Sequence, residues 1–223
     1  GGGGGGGGRG AGGGAGGINP LSVSYTVAND DEAIASLLNT NGNAAQGSWF
    51  YDAIDDSWSF KLTGNFANVT NADELASNGY FLITNSVGNK SWHKFDSNGK
   101  MLTGIQYEEQ GVFYLNEDKT SPSYGALVTG WVMIDGEYFY FDNMGRLVVN
   151  GVTPDGYIVD ANGARVGLAN TISAFTGTMN TLEKAVPLTY VQNFMLYMQA
   201  LRIQKQLELQ QMQQAQLMQQ VQQ

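Results

Sequence analysis

A short phrase recurs along this chain, and it limits the fold more than any other feature. From Gly130-Trp131 it runs through Asp135-Gly136 to the aromatic stretch Tyr138-Phe139-Tyr140-Phe141, then Asp142-x-x-Gly145, apolar residues and Gly151. A worn copy follows as Asp155-Gly156-Tyr157 and Asp160-x-x-Gly163. Each copy is an alternating aromatic or β-branched run followed by a turn built on Asp and Gly, the pattern of a β-hairpin. Recurrence at about twenty residues predicts stacked hairpins rather than one closed core. A lone hairpin cannot bury such surface, so the stack should be cooperative along its length.

Alternation assigns faces within a copy. In the aromatic stretch Tyr138 and Tyr140 share one side of the strand, and Phe139 and Phe141 share the other. The two Phe are expected to pack between hairpins and the two Tyr to line a groove. Earlier copies keep the same grammar. Trp92-His93-Lys94-Phe95 leads to Asp96-x-x-Gly99 and Gly104. Gly111 to Asn116 starts another, with a loop inserted before Gly125. Further upstream, strands are expected at 48–52 and 57–62 around an Asp55-Asp56 turn, and at 79–83.

The ends have a different composition. Residues 1–17 hold fourteen Gly, too little apolar area to offset backbone entropy, and read as a flexible tether. Residues 18–46 read as a strand and a short helix with Asp30, Asp31 and Glu32 at its start. The repeat region spans 47–166, and 167–186 reads as a connector. Residues 187–223 form a Gln-rich helix that Pro187 can start. One face of it carries Leu196, Ala200, Ile203, Leu207, Leu217 and Val221 at a spacing near that of a coiled-coil seam. The helix is therefore a candidate for homo-oligomerisation, and folding back or binding another partner are the alternatives. The fold class is mainly β: stacked β-hairpin repeats forming a β-solenoid, with a short N-terminal mixed segment and a long C-terminal α-helix.

Charge and residue usage narrow the function classes. The formal net charge is −9, and the acids concentrate in the repeats. Phosphate backbones need clustered Lys and Arg, so nucleic acid is excluded as a partner. Without Cys there is neither a disulfide framework nor thiol chemistry. No apolar stretch reaches the length of a membrane span, and no signal peptide is recognised in the chain.

The phrase Gly-Trp-x4-Gly-x followed by three aromatics, Phe-Asp-x-x-Gly and a closing Gly resembles the cell-wall-binding repeats of Gram-positive surface proteins. That family includes choline-binding modules and glucan-binding repeats. The resemblance is strongest over 91–166, weaker over 47–90 and absent at both ends. It implies a secreted, non-catalytic module of the cell surface that docks on wall polysaccharide or choline-decorated teichoic acid. In choline-binding members, rings of successive hairpins cage a quaternary ammonium group, a cation that cannot donate strong hydrogen bonds but is attracted to ring faces. Matching positions are Trp131, Tyr138 and Tyr140, with Trp92 in the earlier copy. Elsewhere the ring positions are replaced: Ile105 and Val152 stand at the Gly-Trp position, and Lys94 would repel a choline cation. A structural stalk whose C-terminal helix oligomerises is the competing class.

Other groups read as structural. Trp49 and Trp58 fit packing between hairpins. His93, the single His, lacks the companions of a zinc or Ser-His-Asp set and reads as a strand-surface residue. Asp55-Asp56 and Glu108-Glu109 are adjacent acids that a strand directs to opposite faces and a turn to solvent, so neither pair suits glycoside cleavage. Asp142-x-x-Gly145 and Asp160-x-x-Gly163 fit turns in which the Asp caps backbone and the Gly adopts positive φ. No catalytic set, metal site or cofactor is expected.

Overall fold

The computed structural model describes residues 26–28, 30–40, 42–63, 75–85, 87–168 and 188–222. The tether at 1–17 and nearly all of the connector lie outside the described residues. Among those described, the chain is mainly β, with one short and one long helix. Four hairpins follow one another: β2 (Gly47–Asp52) with β3 (Ser57–Leu62), β4 (Gly79–Thr84) with β5 (Lys90–Phe95), β6 (Gly104–Glu108) with β7 (Gly111–Leu115), and β8 (Val128–Ile134) with β9 (Glu137–Phe141). A three-stranded unit closes the series, β10 (Gly151–Val152), β11 (Tyr157–Val159) and β12 (Arg165–Leu168). All of these pairings are antiparallel.

The hairpins are phased differently from the sequence expectation. Asp-x-x-Gly does not join an aromatic strand to an apolar one within a hairpin. The hairpin turn between β8 and β9 is Asp135-Gly136, with φ of 51° and 86°. Two central residues at positive φ match the twist of the flanking strands. Asp142-x-x-Gly145 instead leads out of the hairpin. The Asp142 carboxylate accepts the N–H groups of Met144 and Arg146, both at 2.9 Å. Asp96 does the same for Asn98 and Lys100, and Asp160 for Asn162 and Ala164. Asn116 opens the inserted loop in the Asp position, its carbonyl accepting from Gly125 at 2.8 Å. The loop thus enlarges one such turn while its closing bond is kept.

These exit turns are what tie the hairpins together. After each turn an apolar residue donates its N–H to the preceding hairpin: Met101 to Trp58, Leu127 to Trp92 and Leu147 to Val112, each at 2.8 Å. The same residues form a column with the turn glycines. Gly145 has φ of 86°, and a Cβ there would lie 3.1 Å from the Leu127 side chain. Gly125 meets Met101 and Gly163 meets Leu147 in the same way. Glycine is required both by its backbone conformation and by the close approach of the next unit. Burial follows this order, with three clusters of buried apolar residues along the series.

The N-terminal segment joins this core. β1 (Thr26–Val27) pairs with β8. Helix α1 (Asp31–Leu37) is capped by Asp30, whose side chain accepts from Ala33. Its Ile34 and Ala35 are buried with Trp92, Phe113 and Leu127. Leu21, Val23 and Tyr25 lie outside the described residues.

Helix α2 (Leu188–Val221) folds back on the hairpins, but not with the face expected from the seam spacing. Tyr190, Val191, Phe194, Met198 and Leu201 are buried, sharing a cluster with Val132, Phe139 and Leu147. Phe194 meets the Phe139 ring edge-on at 5.5 Å. The Tyr190 hydroxyl donates to the Leu147 carbonyl at 3.2 Å, and Arg202 pairs with Asp135 at 2.9 Å. Leu196, Ile203, Leu207, Leu217 and Val221 are exposed. A periodicity near 3.5 does not distinguish which of two apolar stripes finds a partner. Here the aromatic stripe wins, because Phe139 offers it a buried ring. No described helix is long and apolar enough to cross a membrane.

Candidate functional site: an aromatic box on the last hairpins

The site grows out of strand alternation. In β9, Phe139 and Phe141 are fully buried while Tyr138 and Tyr140 lie half-buried on the other face. Trp131 of β8 is the cross-strand partner of Tyr140, so their side chains share that face. The rings meet edge-on, 5.1 Å apart. The next unit adds Tyr157 from β11, 5.6 Å from Trp131 and nearly perpendicular to it. Its Ile158 neighbour is buried, which leaves Tyr157 on the outer face. Sequence reasoning missed Tyr157, although its place after Asp155-Gly156 was visible.

The following turn holds the tryptophan. Asp155 accepts the indole N–H of Trp131 at 2.8 Å and bonds Thr153 through its other oxygen. Burial, then the nearby carboxylates of Asp155 and Asp142, push the Tyr140 phenol above its ordinary pKa.

A cation of the chain itself occupies the box. Ala164 bridges to Phe139 and is buried on the core side. Alternation therefore turns Arg165, one residue on, toward the tyrosine face. Its guanidinium carbon lies 4.4 Å from the ring centre of Tyr138, 5.0 Å from Tyr157 and 5.8 Å from Trp131. All three distances are within cation–π range. The Nη1 nitrogen is buried without a hydrogen-bond partner in the structure.

Trp92 is separate from these rings. It is fully buried in the core under α1, and its indole N–H reaches Asp31 at 3.2 Å. The structure does not place it on a ligand-facing surface. His93 is buried too, which corrects its reading as a surface residue. Both faces of β5 are covered, one by α1 and the other by the first hairpin, whose Trp49 lies edge-on 5.0 Å from the imidazole. Ser91 Oγ is 2.8 Å from His93 Nε2. Desolvation pushes its pKa down to about 4. Lys94, where an aromatic was expected, lies 5.3 Å from the centre of the Tyr80 ring and pairs with Glu108.

A second aromatic surface lies at the first hairpin. Trp49, Trp58, Met101, Lys119, Ser121 and Tyr124 line a cavity of about 310 Å³. Trp49 also packs on Phe60 and Phe95, while Trp58 is more than one third exposed. Among the described residues no cluster of three His, Cys, Asp or Glu could hold a metal. Asp55 and Asp56 are exposed and paired with Lys100 and Lys119.

No family model and no curated protein matches the chain. It is similar to several solved structures. A pneumococcal cell wall endolysin from phage Cp-1, complexed with choline, is 25% identical with a TM-score of 0.35, over 50% of this chain and 27% of that one. CbpJ from Streptococcus pneumoniae TIGR4 is 23% identical with a TM-score of 0.29, over 54% of this chain and 48% of that one. The choline binding domain of Spr1274 from Streptococcus pneumoniae is 22% identical with a TM-score of 0.25, over 56% of this chain and 99% of that one. The match thus spans about a quarter of the endolysin.

Proposed function

We propose that this chain is a non-catalytic module of a secreted, cell-surface protein, docking on bacterial wall polysaccharide or choline-bearing teichoic acid through hairpin aromatics. The observation that carries this reading is the convergence of Trp131, Tyr140 and Tyr157, from three strands of successive units, on one half-exposed surface. Flat rings, with the Trp131 indole held in place by its own hydrogen bond, suit a sugar ring, which presents an apolar face to stack on them. The cavity at Trp49 and Trp58 would be a second contact point. A non-catalytic role is supported by where the acids are spent: Asp96, Asp142 and Asp160 hold turn backbone, and Glu108 is paired with Lys94.

Titrating the folded chain with choline, teichoic acid and soluble glucans, while following Trp fluorescence, tests the reading. At least one ligand should change the emission, and Trp131→Ala should weaken it about tenfold, or ~1.4 kcal/mol. Silence toward all three defeats the proposal.

A second reading rests on α2. Beyond Leu201 the helix is exposed throughout, with Ile203, Leu207, Leu217 and Val221 bare along it. In a stalk or assembly protein those residues would pair between copies. Truncation after Arg202 spares the docked stretch 190–201, so a fall in solution mass would support assembly, and an unchanged monomer would sink it.

A further inference from the structure

The box around Arg165 bears on which ligand the surface can take. We propose that Arg165 is the resident cation of the Trp131–Tyr138–Tyr157 box and a specificity-determining residue. It excludes quaternary ammonium and other cations from the box, and leaves the Trp131–Tyr140 edge to uncharged sugar rings. The second half of this inference rests on the wall-docking reading; the exclusion of cations does not.

Three observations carry it. The guanidinium lies within 5.8 Å of three ring centres contributed by β8, β9 and β11, so the volume where a ligand cation would sit is filled. The charge is held by ring faces rather than by a carboxylate. Nη1 is buried without a hydrogen bond, and none of the ion pairs among the described residues includes Arg165. Asp155, whose carboxylate touches the Trp131 ring, is occupied by the Trp131 indole and Thr153. By contrast Lys94, the other cation set over a ring among the described residues, is tied to Glu108 and Gln106.

Physical chemistry makes this occupant hard to displace. Guanidinium is more weakly hydrated than ammonium, so less is lost than for a lysine when it leaves water for the rings. Arg165 is also held in place by β12, whose pairing with β11 includes Val159 opposite Arg165. A tethered group competes at an effective concentration of millimolar or above. A free cation with comparable ring contacts must overcome that advantage.

The test uses the full chain, with choline and tetramethylammonium chloride as cation probes and a soluble glucan as the neutral probe. Arg165→Ala should bind both cations at least tenfold more tightly than the wild type, and Tyr138→Ala in that background should remove the gain. Equal cation affinity in wild type and Arg165→Ala overturns the proposal, as does a folded Arg165→Ala that remains blind to both cations. Should Arg165→Ala fail to fold, NMR of the wild type decides. Ring currents should move the Arg165 δ-methylene and Nε–H resonances upfield, and Tyr138→Phe should leave them there; unshifted resonances overturn the proposal. The glucan arm is independent. A wild type that ignores glucan and every wall polymer sinks the docking reading and the sugar half of this inference, while a cation gain in Arg165→Ala still supports the exclusion.

Discussion

At the scale of single residues, neighbours decide roles that residue type leaves open. Trp92, His93 and Trp131 are all polar-edged rings on strands, yet two are buried and one faces the aromatic box. The His93 burial has a measurable consequence. A folded pKa of about 4 against about 6.5 in the unfolded chain means that the unfolded state binds the extra proton first. Stability contributed by the neutral imidazole is complete above about pH 6.5 and is lost as pH falls toward 4, by on the order of 3 kcal/mol. Comparing the pH dependence of urea unfolding for wild type and His93→Gln checks this. The wild type should show the steeper loss across that window, and parallel curves would refute the assignment. Arg165 was likewise invisible as a site residue. Its neighbours in sequence are Ala164 and Val166, and it takes the Phe139–Ala164 bridge and the β11–β12 pairing to set it beside the tyrosines.

At the scale of elements, periodicity identified what forms but not always what it meets. Alternation in β9 assigned Phe139 and Phe141 to the buried side, and they are fully buried. The turn between strands lies one step earlier than the Asp-x-x-Gly pattern predicts, because Asp-x-x-Gly and Asp-Gly both carry turn chemistry. Only the hydrogen bonds separate the hairpin turn at Asp135-Gly136 from the exit turn at Asp142. Helix α2 shows the same limit. Phe194→Ala should cost about 3–5 kcal/mol by leaving a cavity against Phe139, whereas Leu207→Ala should change stability by less than about 0.5 kcal/mol. Chemical denaturation of the two variants distinguishes them. Equal costs would mean that the exposed stripe is covered in solution.

At the scale of the whole molecule, the exit turns predict one cooperative unit. Leu127 is fully buried and links the hairpin containing Trp92 to the turn at Gly145. Leu127→Ala should therefore cost about 2–5 kcal/mol and lower protection in β2–β3 and β8–β9 together, as native-state hydrogen exchange would record. Loss confined to one side of Leu127 would mean that the hairpins melt independently. The sequence by itself determined the mainly β class, the hairpin grammar, the capping turns and the existence of the long helix. Each depends on interactions between residues close in the chain: alternation, Asp capping, glycine at positive φ and helical spacing. Only the tertiary structure decided that α1 buries Trp92, which stripe of α2 docks, and that Arg165 fills the aromatic box. Those outcomes depend on which surfaces meet across long separations, and a pattern that repeats every few residues cannot encode which of several equivalent faces finds its partner.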